Sequence, residues 1–324
     1  MRVLVTGASG FIGRKLVAAL LRKGTIGSGD GSVRAITELV LADLAAPAAV
    51  PAANGIAVRC EGGDLGDPAV LARLFAEPVD SLFHLAASLT TEAEADVARG
   101  LAVNVEGFLR LLEHCRRQAV APRLVFASSI ATFGGPLPAT VDDSTPQTPQ
   151  TSYGVHKVIA EQLINDHSRH GLVDGRALRL PIVVIRPKGA ASVSDRIAAI
   201  VREPLNGEDS VCPLPPDTPI PVASVDCVVQ SLLKMHDLPA AGFGHSRAFN
   251  LPALSVSGRQ MAQALRRAET GRRLGSILWQ EDAALRQIVE SWPQHFDSAR
   301  ARQLGILPDP DFDSIIRSHL GSQT

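Results

Sequence analysis

A chain of 324 residues has room for one large α/β domain or for a main domain with an annex, and it is long enough to bury a substantial core. Its 32 Lys and Arg balance 33 Asp and Glu to a net charge of −1, so no basic footprint for nucleic acid or an anionic membrane exists and a small-molecule partner is favoured. Apolar runs break well before the ~20 residues of a membrane span, and Cys60, Cys115, Cys212 and Cys227 lie scattered without CxxC pairing, which suggests no disulfide framework, no metal site, and reduced thiols in a cytoplasmic protein.

Met1-Arg2 leads straight into the β-branched run Arg2 to Thr6, which reads as a first strand rather than a signal peptide. Thr6-Gly-Ala-Ser-Gly-Phe-Ile-Gly13 follows, and Arg14 to Arg22 then carries apolar residues at helical spacing. In such a strand, turn and helix, Gly7 permits the tight bend and Gly10 lets the backbone approach a pyrophosphate. Gly13 lets the helix pack closely, and the phosphates lie at the helix N-terminus. A lone GxxGxxG is common in loops; with a strand before it and a helix after it, the pattern reads as dinucleotide binding.

Gly24 to Ser32 predicts a flexible surface connection into a strand from Ala35 to Leu41, with Asp43 directly after. A carboxylate there accepts from both hydroxyls of an adenosine ribose and repels the 2′-phosphate of NADP, so it argues for NAD; the plainer alternative is a turn carboxylate. The spacing exceeds the usual ~20 residues, and the Gly/Ser loop accounts for the excess. Ile56 to Cys60 is a third strand, after which Asp64 and Leu65 would lie beside the adenine, and Asp67-Pro68 opens a helix. Ser81 to Ala87 is a buried strand whose small end lets the cofactor backbone pass; His84 inside it reads as a satisfied core histidine rather than a base.

Ser88 to Ala98 lacks a strong period, and its Ser88 and Thr90 are placed to meet substrate hydroxyls. Gly100 to Gln118 reads as an amphipathic helix containing Asn104, a residue that in a helix usually faces water or caps a kink. The strand Pro122 to Ala127 ends in Ser128-Ser129, hydroxyls at the carboxyl end of a parallel strand, where ligands bind in such sheets. The Pro-rich stretch Pro136 to Thr151 delivers the chain into a helix starting near Ser152. On it, Tyr153 and Lys157 are i and i+4 and leave one face together. An ammonium beside a phenol favours the phenolate and makes a proton shuttle, although such pairs also occur on solvated faces. Tyr153 is the only tyrosine in the chain.

Arg176 to Ile185 reads as a strand interrupted at Pro181 and closed by Arg186-Pro187. Shorter helices and Pro-bounded loops follow, notably Val211 to Pro216 and Pro219 to Val222. Further on come helices from Val225 to Met235 and from Ser257 to Thr270, a small strand at Phe249-Asn250-Leu251, and closing helices at Ala299 to Leu304 and Phe312 to Leu320. Alternation through the first 185 residues predicts an α/β fold, a Rossmann-type doubly wound parallel sheet. Residues 1–187 form the NAD-binding domain, and 188–324 a smaller, mainly substrate-binding annex with some segments returning to the main sheet.

Taken together, the glycine turn, His84-Leu-Ala-Ala87, Asn104-Val-Glu-Gly107, Ser128-Ser129 with Phe133-Gly134, and Tyr153-Gly-Val-His-Lys157 resemble the extended short-chain dehydrogenase/reductase family, in order across the main domain. The resemblance implies Tyr153 as catalytic acid/base and Lys157 as the residue that lowers its pKa and binds the nicotinamide ribose. It also implies Ser129, 24 positions before Tyr153, as the hydroxyl on the reacting oxygen, and Asn104 in a water-linked proton path. The expected NAD contacts are Gly7, Gly10, Phe11, Ile12, Gly13, Asp43, Asp64, Leu65, Leu85, Ala86, Ala87, Asn104, Tyr153, Lys157, Pro181 and Ile182. Expected substrate contacts are Ser88, Thr90, Ser129, Tyr153, Arg186 and Arg196, with Lys188 a further cation for a carboxylate.

Arg123 through Pro187, Val201 to Gly207, and Trp292-Pro293 with Phe296-Asp297 resemble a bacterial D-erythronate dehydrogenase subgroup, which implies NAD-linked oxidation of a four-carbon sugar acid at carbon 2. Arg186-Pro187-Lys188-Gly189 departs from the longer Pro-Gly-Lys-Pro segment of that subgroup, which bears on the substrate-facing loop. Rival readings are a nucleotide-sugar epimerase or dehydratase, a threonine-type amino-acid dehydrogenase, and a dinucleotide sensor without catalysis. Ile130-Ala131 after Ser129, where a dehydratase carries an acidic residue, disfavours dehydration, and retention of Tyr153 and Lys157 disfavours the sensor. By analogy with the superfamily, helices around 100–118 and 153–170 imply a homodimer.

Overall fold

The computed structural model describes residues 1–28, 30–188, 192–268, 271 and 273–321; Gly29, Gly189 and Thr270, which fall in stretches read above, lie outside the described residues. The chain forms two compact units. The first comprises Met1–Thr132, Pro149–Arg179 and Val229–Phe249, the second Phe133–Thr148, Leu180–Val228 and Asn250–Thr324.

In the first unit, β1 (Arg2–Thr6) leads through the glycine turn into α1 (Phe11–Lys23). The stretch expected to be a plain flexible loop holds an antiparallel hairpin, β2 (Thr25–Gly27) with β3 (Val33–Ala35), and the following strand β4 (Glu38–Asp43) begins three residues later than expected. Ser28 and Asp30 account for the hairpin. The Ser28 hydroxyl and the Ser32 N–H both donate to the Asp30 carboxylate, closing a turn of the kind that short polar side chains favour. Next come β5 (Ala57–Gly62), α2 (Pro68–Leu74, capped by Asp67), β6 (Ser81–His84), α3 (Thr90–Ala95) and α4 (Val97–Leu101).

The amphipathic helix predicted over 100–118 is broken: a π-helical turn at Ala102–Glu106 separates α4 from α5 (Gly107–Arg116). On α5, Phe108, Leu111, Leu112 and Cys115 are fully buried at the i, i+3, i+4, i+7 spacing of one helix face. Strand β7 (Arg123–Ser129) and helix α6 (Ser152–Arg169) follow, the latter capped by Thr151, whose side chain accepts from the Gly154 N–H. Strand β8 (Asp174–Leu180) ends at Pro181, which has no N–H to continue a ladder. The predicted strand over 176–185 is therefore two, and β9 (Ile182–Val183) belongs to a different sheet.

The second unit contains α7 (Val193–Leu205), β10 (Ser210–Cys212) and β11 (Pro219–Ala223). Helix α8 (Val225–Asp237) and β12 (Ala248–Asn250) return the chain to the main sheet. After β13 (Leu254–Ser257) and α9 (Gly258–Arg267) come β14 (Ile277–Trp279), α10 (Ala283–Glu290), α11 (Ala299–Gln303) and α12 (Phe312–Gly321). Strand β11 pairs antiparallel with β13 and parallel with β9. Ile197, Ile200 and Val201 of α7 share one core with Met261 and Leu265 of α9 and Ile315 and Ile316 of α12. The Pro-bounded stretch 211–216, read as a loop, begins inside β10, which pairs with β14.

The main sheet has the order β12-β8-β7-β6-β1-β4-β5, with β4 and β6 parallel to β1 on either side. Sequence order therefore reverses between β1 and β6, the switch point where ligands bind at the carboxyl ends of such strands. Thr6 registers with Ala42 on one side and His84 on the other, and His84 registers with Phe126. Residues far apart in sequence, Gly7, Asp43, Leu85 and Ser128, consequently emerge at one sheet edge. Val3, Leu4 and Val5 of the central strand are completely buried, each contributing about 1.5–3 kcal/mol by leaving water. Below the sheet, fully buried Arg176 caps the end of α8 by donating to Met235 O, His236 O and Leu238 O at 2.8, 2.9 and 2.7 Å, with Asp174 as counter-ion at 2.5 Å.

His84 and His236 are buried neutral; desolvation pulls them down to about 3 and about 4. A histidine whose folded pKa is depressed supports the fold fully above its unfolded value of about 6.5 and loses that support as pH falls through the window below it. Urea unfolding should show stability dropping between pH 7 and pH 5 by about 2 kcal/mol per buried histidine. In His84→Gln the drop should shrink, and a drop as large as in the wild-type chain would refute the assignment of His84 to it.

Candidate active site

The cofactor end of the site begins with Gly7, at φ +70°, where a Cβ would lie 2.7 Å from Ala86 N and 2.8 Å from the Leu85 carbonyl carbon. The left-handed backbone and the close approach of the β6 loop both demand glycine. A Cβ on Gly13 would overlap Gly7 O, so α1 packs against the turn as expected. Gly10 is the N-cap of α1, and the first turn, opening with Phe11 and Ile12, contains no acidic side chain, which leaves its positive end suited to a diphosphate.

Thr6 Oγ1 lies 2.7 Å from His84 Nδ1 and accepts from Ala86 N at 3.5 Å, fixing the Leu85-Ala86-Ala87 backbone beside the turn. His84 stacks between Phe108 and Phe126, which matches its reading as a core histidine. At the end of β4, the Asp43 carboxylate accepts from Ser9 N and Leu44 N, each at 2.8 Å. One bond per oxygen leaves lone pairs for two ribose hydroxyls. Asp64 is exposed and accepts from Gly66 N at 2.7 Å, closing the turn that presents half-buried Leu65. A turn whose Gly7 and Gly13 admit no Cβ, a carboxylate at the end of β4 and a helix start without acidic side chains fit NAD.

At the neighbouring strand end, Ser129 lies beside the Tyr153 hydroxyl, close enough to lower its pKa, while Ser129 Oγ itself accepts from Ala131 N at 3.1 Å. Lys157 is almost wholly buried. Its Nζ donates to Ala127 O at 2.8 Å, and it lies 4.5 Å from the Phe126 ring centroid and 5.3 Å from that of Tyr153. Burial dominates both groups. Desolvation pushes the Tyr153 phenol up to about 12, with the Ser129 hydroxyl opposing, and pulls Lys157 down to about 7, with the Glu161 carboxylate opposing. Gly154 is obligatory between them, because a Cβ there would overlap Ala131 O.

Asn104 occupies the π-helical turn, a feature frequent at functional sites. Its amide brackets Ser88: Oδ1 accepts from Ser88 N at 2.8 Å, and Nδ2 donates to Ser88 O at 2.9 Å. Nδ2 also lies 3.3 Å from His156 Nδ1. Thr90 is the first residue of α3 and half buried. Sequence reasoning singled out Asn104 and Ser88 separately but missed that one clamps the other, and it missed Glu94, which accepts from Ser152 N at 2.6 Å at the start of the Tyr153 helix. No periodicity reports such links, because their partners lie tens of residues apart.

In the second unit, Pro181 and Ile182 are buried at the start of β9. Ile185 adopts φ 51°, a strained value for a β-branched residue. It precedes Arg186, half buried, whose Nη2 donates to Ser194 Oγ at 3.1 Å and lies 3.8 Å from Asp195 Oδ1. Arg196 is instead ion-paired with Asp282 at 2.7 Å near the surface, and Lys188 is exposed. Among the described residues no cluster of metal ligands occurs, and no helix is long and apolar enough to cross a membrane.

Residues 3–224 match the model of the NAD dependent epimerase/dehydratase family. The chain belongs to that family. NAD is therefore its cofactor, as the glycine turn and Asp43 implied, and the doubly wound sheet is the family's fold. Two relatives align over nearly their whole lengths. D-erythronate dehydrogenase of Cupriavidus necator is 41% identical, covering 99% of this chain and 98% of its own. D-erythronate dehydrogenase of Haemophilus influenzae is 37% identical, covering 99% of each. Among solved structures, the nucleoside-diphosphate-sugar epimerase from Agrobacterium tumefaciens superposes with a TM-score of 0.92 at 34% identity, over 100% of this chain and 94% of that one.

Proposed function

We propose that the protein oxidises the 2-hydroxyl of a small sugar acid, D-erythronate to 2-oxo-D-erythronate, with Tyr153 as base. The observation that carries this reading is the juxtaposition of the Ser129 hydroxyl, the Tyr153 phenol and buried Lys157 at the sheet edge that also presents the glycine turn and Asp43. Two full-length relatives named for that substrate support the choice of acid.

In this reading the substrate hydroxyl bonds both Ser129 Oγ and Tyr153 Oη, and Tyr153 takes its proton as carbon 2 gives up hydride. Bound NAD supplies the hydride acceptor. Ser129 orients the reacting oxygen, and the positioned base is worth about 10²–10⁴-fold. Tyr153 and Lys157 titrate as a pair, and the pair lacking one proton is the competent base. Its first proton leaves near the Lys157 value of about 7, far below the phenol alone. Asn104 holds Ser88 against the substrate and belongs to the water-linked route by which the proton departs. Asp43 accepts from the adenosine ribose. Leu101, Leu109 and Val155, exposed apolar residues of α4, α5 and α6, are covered by a second copy of the chain in a homodimer.

A nucleotide-sugar epimerase is the second reading, favoured by the 34% identity to the nucleoside-diphosphate-sugar epimerase from Agrobacterium tumefaciens. It uses the same base but leaves no net NADH.

NADH should accumulate with D-erythronate and not with L-threonine or nucleotide sugars, and kcat/KM should rise with pH through about 7. Turnover of a nucleotide sugar without net NADH would establish the epimerase instead. Asp43→Ala should narrow the NAD over NADP preference at least ~10-fold, the equivalent of one lost charge-assisted interaction; unchanged discrimination would remove Asp43 from the ribose site. Sedimentation should return twice the chain mass, and a single-chain mass would rule out the dimer.

A further inference from the structure

Behind the Tyr153/Lys157 pair lies a second polar cluster that the chemistry above does not use. Glu161 stands one turn beyond Lys157 on α6 and is almost wholly buried. Ser128, the residue before Ser129, donates its hydroxyl to Glu161 Oε1 in a short hydrogen bond. From β8, buried Arg179 donates Nε to both Glu161 oxygens at 3.1 Å and Nη2 to Oε2 at 2.8 Å. Two consecutive residues of β7 are thus tied to two consecutive turns of α6, Ala127 O to Lys157 and Ser128 to Glu161, and the next residue, Ser129, lies beside Tyr153 one turn earlier.

Such an arrangement does two things. It sets the separation of β7 and α6, hence whether the Ser129 and Tyr153 oxygens meet around one substrate hydroxyl. It also places a carboxylate beside an ammonium that burial would otherwise discharge. The groups facing Lys157 are few. Its own helix presents Tyr153, His156 and Glu161, β6 presents His84, kept neutral by burial, and β8 presents Arg179 by way of Glu161.

We propose that Glu161, anchored by Ser128 and Arg179, is the positioning residue of the Ser129/Tyr153/Lys157 site, holding β7 in register with α6 and supplying the counter-charge that keeps Lys157 protonated. This rests on the reading of Tyr153 as base. A carboxylate raises the pKa of any group that loses a proton beside it, so its removal lowers the pKa values of the pair.

Glu161→Gln keeps an oxygen acceptor for Ser128, removes the charge and replaces one of the two oxygens that accept from Arg179 with an NH2. Its kcat/KM profile with D-erythronate should rise about 1 pH unit nearer acid than in the wild-type chain, with NADH affinity within about 2-fold. Ser128→Ala changes no charge and should lower kcat by roughly 10-fold through misplacement, leaving the rise where it was. Because the lone guanidinium of Arg179 threatens folding of the single variant, Glu161→Gln/Arg179→Met serves as its folded counterpart and should show the same acid shift. The chain's single tyrosine gives a substrate-free measurement: the onset of phenolate absorbance should move to lower pH in both Glu161 variants. Wild-type profiles and phenolate onset in those variants would overturn the proposal. Tyr153→Phe separates the two readings. Wild-type turnover there removes the base itself, whereas an inactive Tyr153→Phe beside an unshifted Glu161→Gln removes only the role of Glu161.

Discussion

The joint between the end of β7 and helix α6 is the constraint on which the reactive half of this protein depends. Hydrogen bonds from Ala127 and Ser128 to Lys157 and Glu161, with Ser129 beside Tyr153, couple a strand's last residues to one face of a helix. Thr151 at the helix start and Gly154, where no Cβ fits against Ala131 O, determine where α6 begins and how closely it approaches. Glu94 fastens the same helix start from α3.

Electrostatically the site is governed by burial. Tyr153 and Lys157 are both disfavoured in their charged forms by loss of water, opposed by the Ser129 hydroxyl at the one and the Glu161 carboxylate at the other. A phenol alone is a feeble base near neutrality. In the proposed mechanism, an ammonium set beside it with little water favours its phenolate. The cofactor side follows a different rule: glycines remove side chains where the backbone must approach a ligand, and Asp43 commits only half of its acceptor capacity to the fold.

Much of this was legible in the linear chain. The glycine turn, the carboxylate after the second strand, the Ser129 hydroxyl and the Tyr153/Lys157 spacing are local patterns, each within one turn or one strand end. The hairpin at Thr25–Ala35 was not legible, because a Gly/Ser-rich stretch reads as loop whether or not an Asp-centred turn closes it. Nor was the π-helical turn at Asn104, since one extra residue in a helix leaves the apolar period nearly intact. Pro181 marked an interruption, yet only pairing reveals that the chain there changes sheet.

By itself, then, the sequence determined the fold class and the cofactor and singled out Tyr153 and Lys157 as the candidate reactive pair, because hydrophobic alternation, glycine sterics and i, i+4 spacing act over a few residues. Tertiary structure alone decided that Asn104 brackets Ser88, that Thr6 holds His84, and that Arg179 and Ser128 meet on Glu161. Those choices join groups 16 to 78 positions apart. They follow from strand order and register, which place distant strand ends at one edge.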